Sequence, residues 1–311
     1  MNFDRKLFQR MLILLSMVAV FAVVLRLFTY WQELDPATSF FRASAPACLI
    51  YNGIGFVVFF LCLALSMKKG GDASDVPDAS EALTPYYEED DRDEKGFFEE
   101  QENEELQGDS LPDFSRRVAT WEGTLTAFLS FLPGFGFIAY SLSSFTKTAV
   151  VSDPYRMIFA VLSALSGLSF LYLTLKNSGK ADRVRPFLAL IPCFWCTARL
   201  VVEYRDLARF VNKTLYIGQF LFIISALVFF LYHAQLLFGE KALTRPNAYA
   251  FSALAVVFFG VSCRIPQLIA VFGDRAIVDL VDASSLFIDL ALTLFAAMKI
   301  AVGMRDKNRI F

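Results

Sequence analysis

The sequence predicts an all-α, polytopic integral membrane protein with eight transmembrane helices in four hairpins. Eight apolar stretches fall at residues 9–30, 47–67, 118–144, 154–175, 186–207, 214–237, 247–272 and 283–303. A helix needs about 20 such residues to cross about 30 Å of hydrocarbon. Inside that layer a segment must satisfy its own backbone polar groups, and a helix does so alone. The composition agrees: 56% of the chain is hydrophobic and 34 of its 311 residues are Phe, more than a soluble domain of this size accommodates. Finally, charge is partitioned. Between Gly70 and Asp113 stand 17 Asp and Glu against 2 Lys and Arg, a net of −15, so the rest of a chain whose total is −2 carries +13.

The first stretch opens on Arg5, Lys6 and Arg10 and runs apolar from Met11 to Leu25 before Arg26. That run is at the upper limit for a signal peptide. The small residues Ala43-Ser44-Ala45 precede Pro46, which suits neither a cleavage site nor a lipoprotein box, so an uncleaved first helix is expected. The second stretch begins with Tyr51-Asn52-Gly53 and completes a hairpin over residues 1–69. Residues 70–117 then form an acidic segment whose few apolar residues include Tyr86-Tyr87 and Phe97-Phe98. Low hydrophobicity with high net charge predicts a disordered loop. It reads either as a solvated spacer or as a docking segment for a basic cytoplasmic protein. Its charge excludes nucleic acid as a partner.

Residues 118–311 supply the other six helices. The third contains Leu132-Pro133-Gly134-Phe135-Gly136, where a missing backbone donor and two glycines predict a kink or a break. Pro192 and Pro266 predict kinks in the fifth and seventh helices. Lys and Arg near helix ends divide sixteen to seven in favour of the side holding both termini and the acidic segment. The positive-inside rule therefore puts the termini in the cytoplasm of a cell-membrane protein.

An internal repeat is visible. Arg26-Leu27-Phe28-Thr29-Tyr30-Trp31-Gln32-Glu33-Leu34 aligns with Arg199-Leu200-Val201-Val202-Glu203-Tyr204-Arg205-Asp206-Leu207. The helices that follow open with Tyr51-Asn52-Gly53 and Tyr216-Ile217-Gly218. Phe135-Gly136 and Phe259-Gly260 extend the match, which suggests a parallel 4+4 duplication with the acidic segment as an insertion.

Ionisable residues inside the bilayer are the functional candidates. Arg26, Arg199 and Arg264 come at similar depth in the first, fifth and seventh helices, in the outer part of the membrane. Asp289 and Glu203 share that zone, with Asn52 and Gln219 beside it. A buried arginine is costly and asks for a partner or an exit. One reading has these arginines snorkel to headgroups or lock helices together through Asp289 and Glu203. The other has them hold an anionic lipid or small anionic ligand, whose oxygens suit planar guanidinium donors.

Other chemistry finds little support. Cys193-Phe194-Trp195-Cys196 has the CxxC spacing of thiol oxidoreductases, but the outer loops offer at most Cys48 for exchange. Two small buried apolar residues are the expectation. His233 is the only histidine, expected at the inner interface beside Tyr232, and no metal site can be assembled around it. No phosphate-binding loop, catalytic triad or HExxH motif is present, so no cofactor and no enzyme activity are expected. The sequence leaves two functions open. One is a transporter-like or lipid-handling protein using Arg26, Arg199, Arg264, Asp289, Glu203, Asn52 and Gln219. The other is a non-catalytic scaffold or sensor that recruits a partner through its acidic loop.

Overall fold

The computed structural model describes residues 5–33, 46–67, 113–146, 153–177, 186–207, 217–237, 246–273 and 283–305. Among them every regular element is helical, and eight helices are long and apolar enough to cross a membrane. α1 spans Arg5–Phe28 and ends in a π-turn, Thr29–Glu33. α2 spans Pro46–Met67, α3 Asp113–Phe145, α4 Pro154–Asn177, α5 Pro186–Leu207 and α6 Ile217–Leu237. α7 comprises Pro246–Phe259, a π-turn at Gly260–Arg264, and Ile265–Gly273. α8 spans Ala283–Arg305.

The helix starts have a local cause. α2, α4, α5 and α7 all open on proline, whose fixed φ fits the first turn and whose missing N–H would be unpaired there anyway. Before α4, Asp153 adds a cap: its Oδ1 accepts from the Tyr155 N–H at 3.1 Å, while its carbonyl accepts from the Met157 N–H at 3.0 Å. Arg205, at the end of α5, donates to the same carboxylate (Nη1 to Oδ1, 2.9 Å) and stacks on Tyr155. The start of α4 and the end of α5 are thereby tied together at the margin of the apolar spans. The acidic segment lies outside the described residues except at its end, where residues 113–117 form the start of α3.

The break considered at Pro133 does not occur. α3 runs through it without interruption, and so does α5 through Pro192. The glycines of the third helix serve close packing instead. A Cβ on Gly134 would meet Leu171 Cδ2 at 3.2 Å and the Gly167 carbonyl at 3.3 Å; one on Gly136 would meet Phe287 Cδ1 at 2.9 Å. Small residues of this kind let membrane helices approach to backbone distance. α3 is thus seated on α4 along one side and on α8 along another. Pro266 does perturb its helix, as a π-turn immediately before it. A proline cannot donate to the carbonyl four residues back, and a wider turn is one way for the chain to accommodate that.

α7 is the central helix. Within the most apolar 18 residues of its span 72% are buried inside the protein, against 22% for α1. It packs on α1, α2, α6 and α8, while α3 packs on α4 and α8. A ring cluster joins the remainder: Phe137 lies 4.7 Å from Trp195 and 5.7 Å from Phe170, and Phe170 lies 5.3 Å from Phe295. Trp195 Nε1 donates to Ser163 Oγ at 2.9 Å, so its polar edge is satisfied. His233, near the end of α6, is covered by the protein. It is buried, 4% exposed, with Tyr249 Oη 3.3 Å from Nδ1 and Phe229 stacked on its ring. The small residues Ala234 and Ala250 are also fully buried, which helps draw the end of α6 inward against α7.

Candidate functional site

α5, α6, α7 and α8 each bring polar side chains to one level. On α8, Ser285, Asp289 and Thr293 are spaced four apart and share a face. Asp289 is fully buried, and its carboxylate lies between two guanidiniums. Arg199 of α5 grips it end-on: Nη1 donates to Oδ1 and Nη2 to Oδ2, the latter at 2.8 Å. Arg199 Nη2 also donates to Ser285 Oγ at 2.9 Å, and Nε to Glu203 Oε1 at 2.7 Å, one turn further along α5. The Trp195 ring covers the guanidinium from the previous turn at 5.1 Å. Arg199 therefore has a carboxylate on each edge and an aromatic face against it.

Arg264 reaches the same carboxylate from α7. The π-turn that carries it is possible because Gly260 lies directly against Thr293, with no room for a Cβ. Thr293 in turn donates to the Asp289 carbonyl at 2.7 Å. This approach of α7 to α8 sets Arg264 against Asp289. Arg264 Nη1 donates to Gln267 Oε1 at 2.6 Å and, more weakly, to Gln219 Oε1 at 3.4 Å. Gln219 of α6 donates through Nε2 to Glu203 Oε1 at 2.6 Å and so closes the network.

The two arginines are unequally served. Arg199 is saturated, whereas Arg264 shares one carboxylate and otherwise meets neutral amides. Its Nη2 touches Asp289 Oδ2 as an ion pair without the alignment of a hydrogen bond, and Nε has no acceptor among the described residues. Those two nitrogens form the side-on edge that grips oxyanions two bonds at a time. Nε is the unpaired member of that edge, Nη2 being already paired with Asp289, and Arg264 as a whole is 3% exposed. On the other side of Gln219, Glu203 Oε2 is buried with no donor among the described residues, although its side chain as a whole is 18% exposed.

Five of the seven residues read from the sequence (Arg199, Arg264, Asp289, Glu203 and Gln219) thus belong to one bonded network. Arg26 and Asn52 form an adjoining cluster. Arg26 is buried, with its guanidinium 4.7 Å over the Tyr51 ring and 5.3 Å over the Tyr30 ring, and both Arg26 and Asn52 reach Cys48 Sγ at 3.7 Å. Tyr51 connects the two groups, since its hydroxyl lies 2.7 Å from Cys263 Sγ and 3.4 Å from Ser262 Oγ, beside Arg264.

Comparison of the chain with protein-family models, with curated proteins and with solved structures gave no match. The reading of the site rests on its own chemistry.

Sequence reasoning missed Gln267, Ser285, Tyr51 and Trp195. The first two were within reach, because Gln267 follows Arg264 by three and Ser285 precedes Asp289 by four, which places each pair on one helix face. Among the described residues no group of His, Cys, Asp and Glu has a metal-binding arrangement. All five cysteines, Cys193 and Cys196 included, are buried and none is in a disulfide.

Proposed function

We propose that this is a multi-pass cell-membrane protein that binds an oxyanion, from a lipid headgroup or a small solute, and handles it in a transporter-like way. The observation that carries the reading is the unpaired Nε of Arg264, a buried guanidinium that shares its one carboxylate with Arg199. Arg199 is the anchor of the site and Arg264 its ligand-facing arginine. The basic residues at helix ends support cytoplasmic termini, with the network in the outer half of the bilayer. The aligned segments after Arg26 and Arg199 support four hairpins arranged as a parallel 4+4 duplication.

The test is native mass spectrometry of gently solubilised protein, wild type beside Arg264→Gln. A bound mass bearing an oxyanion on the wild type, lost in the variant while the variant keeps its melting temperature, supports the reading. A wild type that carries nothing and takes up neither an added anion nor an added zwitterion bearing an oxyanion overturns it. The acidic composition of residues 70–117 favours a second reading, a scaffold or sensor with a docking loop. Deleting residues 72–112 and losing a co-purifying basic protein is its test.

A further inference from the structure

The unpaired Nε of Arg264 has a counterpart. Glu203 Oε2 is a buried acceptor without a donor, and Arg264 Nε is a buried donor without an acceptor. One side chain joins them, since Gln219 donates to Glu203 Oε1 at 2.6 Å and accepts from Arg264 Nη1 at 3.4 Å. A buried polar atom left unpaired costs about 1–3 kcal/mol, more when it is charged, so two such atoms flanking one amide ask for a common partner. That partner must offer acceptor oxygens to the guanidinium and a donor to the carboxylate.

Charge narrows the choice. Within the network Arg199 and Arg264 are formally balanced by Asp289 and Glu203. A simple anion entering there would leave an excess negative charge where water is scarce, which is expensive. A group carrying both signs would leave the balance as it stands. Arg26 of α1 lies over the Tyr30 and Tyr51 rings. Asp153, Arg156 and Arg205 form their own group at the ends of α4 and α5.

We infer that the ligand of this site is a zwitterion with an oxyanion and a primary ammonium group. The oxyanion is held by Arg264 Nε, beside the Nη2 already paired with Asp289, and the ammonium donates to Glu203 Oε2, with Gln219 bridging the two residues. The inference rests on the oxyanion-binding reading above and names its ligand class. Two sources share this chemistry: a free amino acid, or the phosphoethanolamine headgroup of a lipid. Glu203, the partly exposed member of the network, marks the side from which either would enter.

The experiment uses full-length wild-type protein in nanodiscs, read by native mass spectrometry and by competition. The lipid arm compares phosphatidylethanolamine with phosphatidylglycerol. The solute arm compares a mixture of neutral protein amino acids with acetate and with ethylammonium. A zwitterion should be retained roughly tenfold or more better than either single-charge probe, as expected for one lost charge-assisted hydrogen bond. Arg264→Gln and Glu203→Gln should each weaken retention by a similar factor. Retention of the lipid identifies the headgroup, and retention of an amino acid identifies the solute. Acetate or phosphatidylglycerol binding as well as the zwitterions, with Glu203→Gln without effect, overturns the zwitterion while leaving the oxyanion site in place. If no probe binds the wild type, the oxyanion site itself falls. The probe comparison needs no variant, so a misfolded mutant does not decide the outcome.

Discussion

Asp289→Asn is the sharpest perturbation of the network. The side chain is fully buried and serves two guanidiniums: Arg199 donates to both of its oxygens and Arg264 pairs with Oδ2. Asparagine keeps the shape but removes the charge and replaces one acceptor by a donor that points at a cation. Arg199 would still have Glu203 at 2.7 Å, whereas Arg264 would be left with neutral amides alone. Breaking a buried ion pair costs about 3–5 kcal/mol, chiefly because the orphaned charge stays buried. For a chain of this size that corresponds to a fall of roughly 10 °C in melting temperature. The assay is thermal aggregation in mild detergent followed by size exclusion. Adding Arg264→Gln to Asp289→Asn removes the orphaned charge, so the double variant should recover part of the loss and depart from additivity by about 1 kcal/mol or more. Melting of Asp289→Asn within about 2 °C of the wild type would refute the reasoning. So would strict additivity, because the two residues would then be energetically independent.

Two further predictions bear on the scaffold. Asp153 is held well below its ordinary 3.8, at about 2, first by the hydrogen bond from Arg205, which outweighs an opposing effect of desolvation with the help of the Tyr155 N–H and the Arg205 charge. A carboxyl depressed on folding contributes stability that is fully present above its unfolded value and lost as pH falls through the folded one. The melting difference between wild type and Asp153→Asn should therefore be constant down to about pH 4 and vanish toward pH 2; a difference already shrinking at pH 6 would contradict the link. In the second, a Cβ at Gly167 would lie 2.7 Å from Ile138 Cγ1 and 3.0 Å from the Gly134 carbonyl, whereas one at Gly53 meets nothing within 4 Å. Gly167→Ala should destabilise by about 1–3 kcal/mol. Gly53→Ala should be neutral or stabilise by up to about 1 kcal/mol, and equal melting of the two would refute the packing account.

The spans were legible because hydropathy over some twenty residues is set by the solvent and not by neighbouring helices. The eight expected stretches match the helices to within a few residues, α3 apart, which starts at Asp113 and not near residue 118. Proline positions were legible as perturbations but not in their outcome. Pro133 and Pro192 lie within uninterrupted helices, whereas a π-turn directly precedes Pro266. That difference depends on tertiary contacts, such as Thr293 against Gly260, which no local pattern reveals. The level of the arginines followed from helix rise alone. Which arginine is satisfied did not, since it depends on α8 presenting Asp289 between α5 and α7. The partners of His233 were hidden for the same reason: its position near a helix end says nothing of Phe229 and Tyr249, which the packing of α6 on α7 sets against its ring.

The aligned segments after Arg26 and Arg199 show how one geometry can carry two chemistries. In each, the residue four positions on faces the guanidinium. It is Glu203 for Arg199, as an ion pair at 2.7 Å, and Tyr30 for Arg26, as a ring 5.3 Å away. Residues four apart on a helix are neighbours, so both contacts follow from spacing. The second arginine contact differs too, an aspartate from α8 for Arg199 and the Tyr51 ring from α2 for Arg26. Both arginines are buried, and Arg199 is joined through Asp289 to Arg264, whose Nε is unpaired. The ion pairs of Arg199 and Arg264 meet where α5, α6, α7 and α8 come together, while Arg26 lies over two rings, one of which, Tyr51, reaches Ser262 and Cys263 next to Arg264 through its hydroxyl.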